Sequence, residues 1–235
     1  MGFFALFFSK IAIFSLIPNN LHLKPFSILK VLISIHHQNP EPRKIQEVVS
    51  CLQDGGIIIY PTDTVYGIGC DIFNPKAVER VCQLKGIEPA KSMLSFVCND
   101  LSHLSRYTRH FERTVYRLMK MNLPGAFTFI LPASNEVPKM FVSKRKTVGI
   151  RVPKHPVPQA IVTLLERPLL SASLPMNQSD AQYYTDPSEI YEQFGKLVDM
   201  VIDSGRGDVQ PSTVVDCSDG EGWEVLRQGK GELVF

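Results

Sequence analysis

Residues 42–53 read PRKIQEVVSCLQ, with Ile45, Val48, Val49 and Leu52 at i, i+3, i+4 and i+7. That spacing predicts an α-helix with one apolar face, stopped by Gly55-Gly56. The apolar run 57–60 predicts a buried strand. Asn74-Pro75 offers a cap and a first-turn proline to a second helix, which turns Val78, Val81 and Cys82 inward and ends at Lys85-Gly86. Further apolar runs predict strands at 93–98, 127–131, 148–152, 169–173, 197–202, 213–217 and 223–226. Helical spacing recurs at 111–121, 157–166 and 187–194. Strands outnumber the helices that could cross between them. The fold class expected is therefore α/β (α+β), a single domain with a twisted mixed sheet flanked by helices. Neither a repeat nor a low-complexity linker divides residues 41–235, the expected domain.

The stretch before residue 41 lacks this punctuation. Residues 1–18, MGFFALFFSKIAIFSLIP, hold five of the fourteen phenylalanines, and Lys10 splits them into short apolar runs. A membrane span needs about 20 apolar residues in succession. A secretory signal wants a cationic start and a small-residue cleavage site, both missing here. Residues 1–40 are expected to be an extension outside the fold, and no stable membrane association is expected.

Composition narrows the function classes. With 44% hydrophobic and 20% charged residues the chain can build a sizeable core, which excludes disordered, collagenous and coiled-coil classes. The formal charge is +2, and Lys10, Lys24 and Lys30 lie in the acid-free first forty residues, so the remainder is close to neutral. Any surface for nucleic acid must then be local. The cysteines Cys51, Cys70, Cys82, Cys98 and Cys217 are odd in number and lack a C-x-x-C pair, which predicts reduced thiols in a cytoplasmic protein. The histidines form no H-E-x-x-H pattern, and no metal site is expected.

The chemistry begins by elimination. The chain has no phosphate-binding G-x-x-x-x-G-K-[ST] loop, Gly67-Ile68-Gly69 lacks the third glycine of a dinucleotide fingerprint, and no G-x-S-x-G elbow marks a nucleophile. What remains are polar residues at strand ends, the positions that border ligand crevices in open α/β sheets. The densest group is YPTDTVYG at 60–67, where two threonines flank a carboxylate; on its own this is also a well-capped turn. LPGAFTFIL at 123–131, VGIRVPKHP at 148–156, PSTVVD at 211–216 and VLRQG at 225–229 follow it in order.

These five motifs, across roughly residues 41–232, resemble the YrdC/YciO family, whose best-known members are threonylcarbamoyl-AMP synthases. Around residues 85–100 the chain is more similar to the YciO branch. The resemblance implies a YrdC-like fold with a concave, positively lined cavity. It also implies ATP, L-threonine and bicarbonate as synthase substrates, with Mg accompanying the nucleotide, and service to tRNA modification with an affinity for double-stranded RNA. In the implied reaction the threonine amine and bicarbonate give a carbamate, whose oxygen attacks the α-phosphorus and expels pyrophosphate. Such a site aligns reactants and neutralises charge, and needs no protein nucleophile.

The family's K-x-R and S-x-N signature carries over incompletely. Lys85 matches the lysine, but Ile87 stands in place of the arginine; Ser171 matches the serine, but Ser173 replaces the asparagine. Isoleucine cannot supply a guanidinium fork, whereas serine keeps a donor and two acceptors. Phe96 falls where many synthases place a histidine near the threonine. Lys91 and Arg227 match further nucleotide contacts, and Thr64 and Ser212 match contacts to the amino acid.

Plainer readings stand beside these. Lys85 could complement a helix dipole, Arg151 could pair with an internal carboxylate or meet a ligand, and His155 could simply pack or contact a ligand. His103, Arg106, Arg109, His110, Arg113 and Arg117 could form a solvated face or an RNA contact. The expectation is a nucleotide-binding protein that also binds double-stranded RNA or tRNA, with an altered synthase site. Its alternatives are an active L-threonylcarbamoyladenylate synthase and a non-catalytic interaction module.

Overall fold

The stripe of Ile45, Val48, Val49 and Leu52 is buried along one side of α1 (Pro42–Gln53), whose bounds are those the pattern predicts. Removing four such side chains from water is worth about 1.5–3 kcal/mol each, which sets this helix against the sheet. The computed structural model describes residues 31–87, 94–141, 146–177, 181–219 and 222–235. The remaining α-helices among the described residues are α2 (Pro75–Lys85), α3 (Leu101–Ser105), α4 (Arg113–Asn122), α5 (Pro156–Leu165) and α6 (Pro187–Phe194). Four of the six carry a proline in the first turn, where its missing N–H costs nothing. Asn74 accepts from the Ala77 N–H at 3.1 Å as the predicted cap of α2, and Gly86 closes that helix at φ +63°.

The strands are β1 (Val31–Ser34), β2 (Ile58–Tyr60), β3 (Gly67–Asp71), β4 (Ser95–Val97) and β5 (Phe127–Pro132), then β6 (Thr147–Arg151), β7 (Leu169–Ser173), β8 (Met200–Asp203), β9 (Thr213–Asp216) and β10 (Glu224–Arg227). They form one sheet in the order β1-β8-β2-β3-β7-β4-β6-β5-β9-β10. The β1–β8, β2–β8, β4–β6 and β5–β9 pairs are parallel and the others antiparallel, so the sheet is mixed, as expected. On one face Ile59, Ile68, Phe96, Phe129, Ile150 and Leu170 form a core with α2, α4 and α6. On the other, Ile58, Tyr60, Leu169 and Ile202 pack under α1 and α5.

Two strands differ from the expectation. β1 precedes residue 41 and pairs with β8, so the sheet takes in part of the stretch expected to lie outside the fold. Residues 1–30, including the apolar stretch 1–18, lie outside the described residues. β3 occupies the glycine-rich segment in which no strand was assigned. No helix among the described residues is long and apolar enough to cross a membrane, and none of their His, Cys, Asp and Glu side chains form a cluster that could hold a metal ion.

Candidate functional site

Strand register gathers small residues on the face that α1 and α5 partly cover. Gly69 pairs with Ser171, Ser171 with Ser95, and Ser95 with Gly149, while Gly67 pairs with Ser173. Paired residues project to the same side, so these six share one face. The Tyr60 ring lies over the two β3 glycines: a Cβ on Gly67 would be 3.2 Å from it, and one on Gly69 would be 3.0 Å from it. The Tyr60 hydroxyl donates to Ser171 Oγ at 2.6 Å, and Ser95 Oγ donates to the Ser171 carbonyl at 3.2 Å. Burial pushes the Tyr60 phenol up to about 12, so it serves as a neutral donor.

Lys85 reaches the end of β7 from α2. Its half-buried ammonium donates to the Ser173 carbonyl at 2.5 Å, and burial holds its pKa below the usual lysine value. Lys85 thus touches the Ser173 end of β7 through the backbone, while Ser171, two residues earlier on that strand, is held by Tyr60. Ile87 packs against the hydrophobic core, so nothing at that position offers a cationic fork. Lys91 lies outside the described residues.

A second group forms around the 61–66 turn. Thr64 is fully buried, and its Oγ1 accepts from Arg151 of β6 at 2.9 Å. The same guanidinium is 3.3 Å from Asp63 Oδ1, and Asp63 Oδ2 accepts from the Lys154 N–H at 2.8 Å. β6 stands three places from β3 in the sheet, so the turn crosses the face to reach it. Arg151 Nε is buried without a protein partner. Lys230 Nζ donates to the Asp63 carbonyl at 2.7 Å and pairs with Asp208 at 2.8 Å.

Ser212 lies just before β9, buried, with its Oγ 2.8 Å from Thr128 Oγ1 of β5. The exposed Arg227 donates to the Ser212 carbonyl at 2.8 Å. Four strands, β4, β6, β5 and β9, stand between β7, whose Ser173 carbonyl Lys85 reaches, and β10, which carries Arg227.

Phe96, the residue matched to a histidine of many synthases, faces away from Ser95 and Ser171. Its side chain is fully buried on the opposite face, edge-on to Tyr107 and Phe141, so it does not enter the site. Alternation explains this, because Ser95 takes the site face and its neighbour must take the other. His155 caps α5, its Nδ1 accepting from the Val157 N–H at 3.2 Å. Arg106, Arg109, Arg113 and Arg117 are exposed, as both readings of that stretch require. Sequence reasoning gave no role to Tyr60, Thr128, Asp208 or Lys230. Tyr60 lay in view inside YPTDT, and Lys230 directly follows VLRQG.

A family model for Sua5/YciO/YrdC, described as "Telomere recombination", matches residues 50–229. The chain belongs to this family. It is 40% identical over 200 residues to YciO of Escherichia coli K12, covering 85% of this chain and 95% of that protein. It is 30% identical over 186 residues to a threonylcarbamoyl-AMP synthase of Coxiella burnetii, 79% of this chain and 97% of the synthase. The crystal structure of E. coli YciO superposes with a TM-score of 0.80 at 39% identity, covering 86% of this chain and 97% of that one. Sua5 of P. abyssi complexed with L-threonine superposes at 0.75 with 28% identity, over 85% of this chain and 57% of that one. The relation to threonylcarbamoyl-AMP synthases thus extends across most of the YciO/YrdC-like domain.

Proposed function

We propose that this protein binds an adenine nucleotide, ATP or AMP, near Lys85, Ser171 and Ser173, with Arg227 and Lys91 contributing, and L-threonine beside Thr64 and Ser212. Double-stranded RNA or tRNA is the macromolecular partner in this reading. The observation that carries the proposal is the 2.5 Å contact of the Lys85 ammonium with the Ser173 carbonyl, which joins two halves of a split signature 88 residues apart. The buried, unpartnered Nε of Arg151 supports it, since a carboxylate beside Thr64 would satisfy that donor. The Sua5 structure holding L-threonine favours the same ligand class here.

Turnover is the weak point of the site. Loss of a guanidinium contact to phosphate at Ile87 costs about 1.5–3 kcal/mol, or about one to two decades of affinity. The remaining cations still bind polyphosphate, but charge spreading in a carbamate-to-adenylate transfer loses a clamp. The loss then falls more on catalysis than on binding. Any Mg comes with the nucleotide rather than in a protein cage. The second reading, an active synthase, is favoured by the retained Lys85, Ser171 and Arg227.

The deciding experiment titrates the full chain with ATP, with and without L-threonine, and follows bicarbonate-dependent pyrophosphate release for wild type and Ile87→Arg. The expected result is measurable nucleotide binding, low wild-type turnover, and a rise of about tenfold or more in the variant. Unchanged binding and turnover in Ile87→Arg would sink the altered-site reading, and brisk wild-type turnover would establish the synthase. Duplex RNA should bind more weakly as salt rises. If neither ATP nor RNA binds at low salt, only an interaction module is left.

A further inference from the structure

Successive peptide groups of the 61–66 turn are held by residues from remote parts of the chain. The Asp63 carbonyl accepts from Lys230 Nζ at 2.7 Å across 167 residues, and the Thr64 carbonyl accepts from the Asp208 N–H at 3.3 Å. Lys230 and Asp208 are themselves joined at 2.8 Å. The Lys230 backbone is fixed by its N–H to the Pro211 carbonyl at 2.9 Å, and the next residue by Thr213 Oγ1 donating to the Gly231 carbonyl at 2.6 Å. One end of the clamp is therefore anchored on the strand that follows Ser212, and the other on the turn that carries Thr64. The Thr64 side chain between these held carbonyls is turned toward Arg151 at 2.9 Å, with Thr62 Oγ1 3.0 Å from its hydroxyl. Local sequence supplies part of this hold, because Thr62 Oγ1 accepts from the Thr64 N–H at 3.0 Å and donates to the Val65 carbonyl at 2.8 Å, whereas the Asp63 and Thr64 carbonyls are held from remote residues.

We propose that Lys230, acting with Asp208, is a positioning residue that sets the Thr64 hydroxyl for a small amino-acid ligand and couples the Thr64 and Ser212 sides of that pocket. The inference rests on the amino-acid-binding reading of Thr64. It gives the pocket two residues, Asp208 and Lys230, that lie outside the five motifs.

The test uses the full chain as wild type, Lys230→Met and Lys230→Arg. In Lys230→Met, L-threonine affinity by calorimetry should fall about tenfold while ATP affinity stays within about twofold. Amide hydrogen exchange over residues 62–65 should speed up about tenfold. Lys230→Arg, which keeps the charge, should recover most of both effects. Unchanged exchange at 62–65 in Lys230→Met overturns the clamp. So does a parallel fall in threonine and ATP affinity, which would mark Lys230 as a general stabiliser. If wild type binds no L-threonine, the reading of the pocket falls, and the exchange experiment still judges the clamp.

Discussion

Asp63 and Arg151 keep only 11% and 9% of their side chains exposed, so each charge loses most of its hydration. That loss is offset only where the partners saturate each other. Here the Lys154 N–H completes Asp63, and Thr64 accepts a second guanidinium bond. Removing one partner should hurt more than removing both, because a lone buried charge has no compensation. Asp63→Ala is expected to lower stability by about 3–5 kcal/mol in urea unfolding, and Asp63→Ala with Arg151→Met to recover much of it. A loss under about 1 kcal/mol in the single variant would mean that Arg151 finds water instead. The same geometry bears on both readings that the sequence leaves open for Arg151. Its carboxylate partner is real, and its free Nε leaves it a donor for a ligand as well.

Among the elements, β3 shows why glycine sits in a strand that it would ordinarily weaken. A Cβ at Gly69 would be 2.3 Å from the Leu170 carbonyl oxygen on the paired strand, a contact that no side-chain movement relieves. Gly69→Ala should therefore cost about 1–3 kcal/mol or more. Gly86→Ala, with nothing within 4 Å of its added methyl, should cost only the left-handed strain of about 1 kcal/mol. Equal losses in thermal or urea unfolding would contradict this. The contrast also shows which elements could be read in advance. α1 and α6 match their predicted bounds because each combines an apolar stripe with a proline start, both local signals. β3 was hidden because its glycines answer to Tyr60 and Leu170, not to strand propensity. β1 was hidden because its four residues become a strand only by pairing with β8, far along the chain. The site follows the same division. Lys85 and Ser171 were reached through the split K-x-R and S-x-N signature that the resemblance implies, whereas the hold of Lys230 on Asp63 spans 167 residues and leaves no periodic trace.

At the scale of the whole molecule, the cysteines report on the integrity of the packed sheet. All five are unpaired; Cys70, Cys82, Cys98 and Cys217 are buried and Cys51 is half-buried. Burial is the first cause in each case, pushing Cys51 and Cys217 up to about 12 and raising Cys70, Cys82 and Cys98 as well. A thiol at about 12 is ionised in only about one molecule in ten thousand at pH 8. Labelling by a disulfide reagent at pH 8 should then be slow in the native protein, with Cys51 reacting first, and rapid for all five thiols in urea. The sign of the pH dependence follows from the same shifts. In the unfolded chain a thiol ionises near pH 8.5, while in the folded chain it holds its proton to higher pH, so the folded state binds more protons above that point. This stabilising contribution is complete below about pH 8 and declines as the pH rises, by up to about 1.4 kcal/mol per thiol per pH unit once the unfolded thiols ionise. Urea midpoints should fall between pH 8 and pH 9.5, a window above the histidines and below the usual tyrosine range. Replacing Cys70 and Cys98 by alanine should flatten that slope while lowering stability at pH 7. A slope unaltered by the double replacement would show that these thiols ionise inside the fold, and that the sheet is more open to water than its packing indicates.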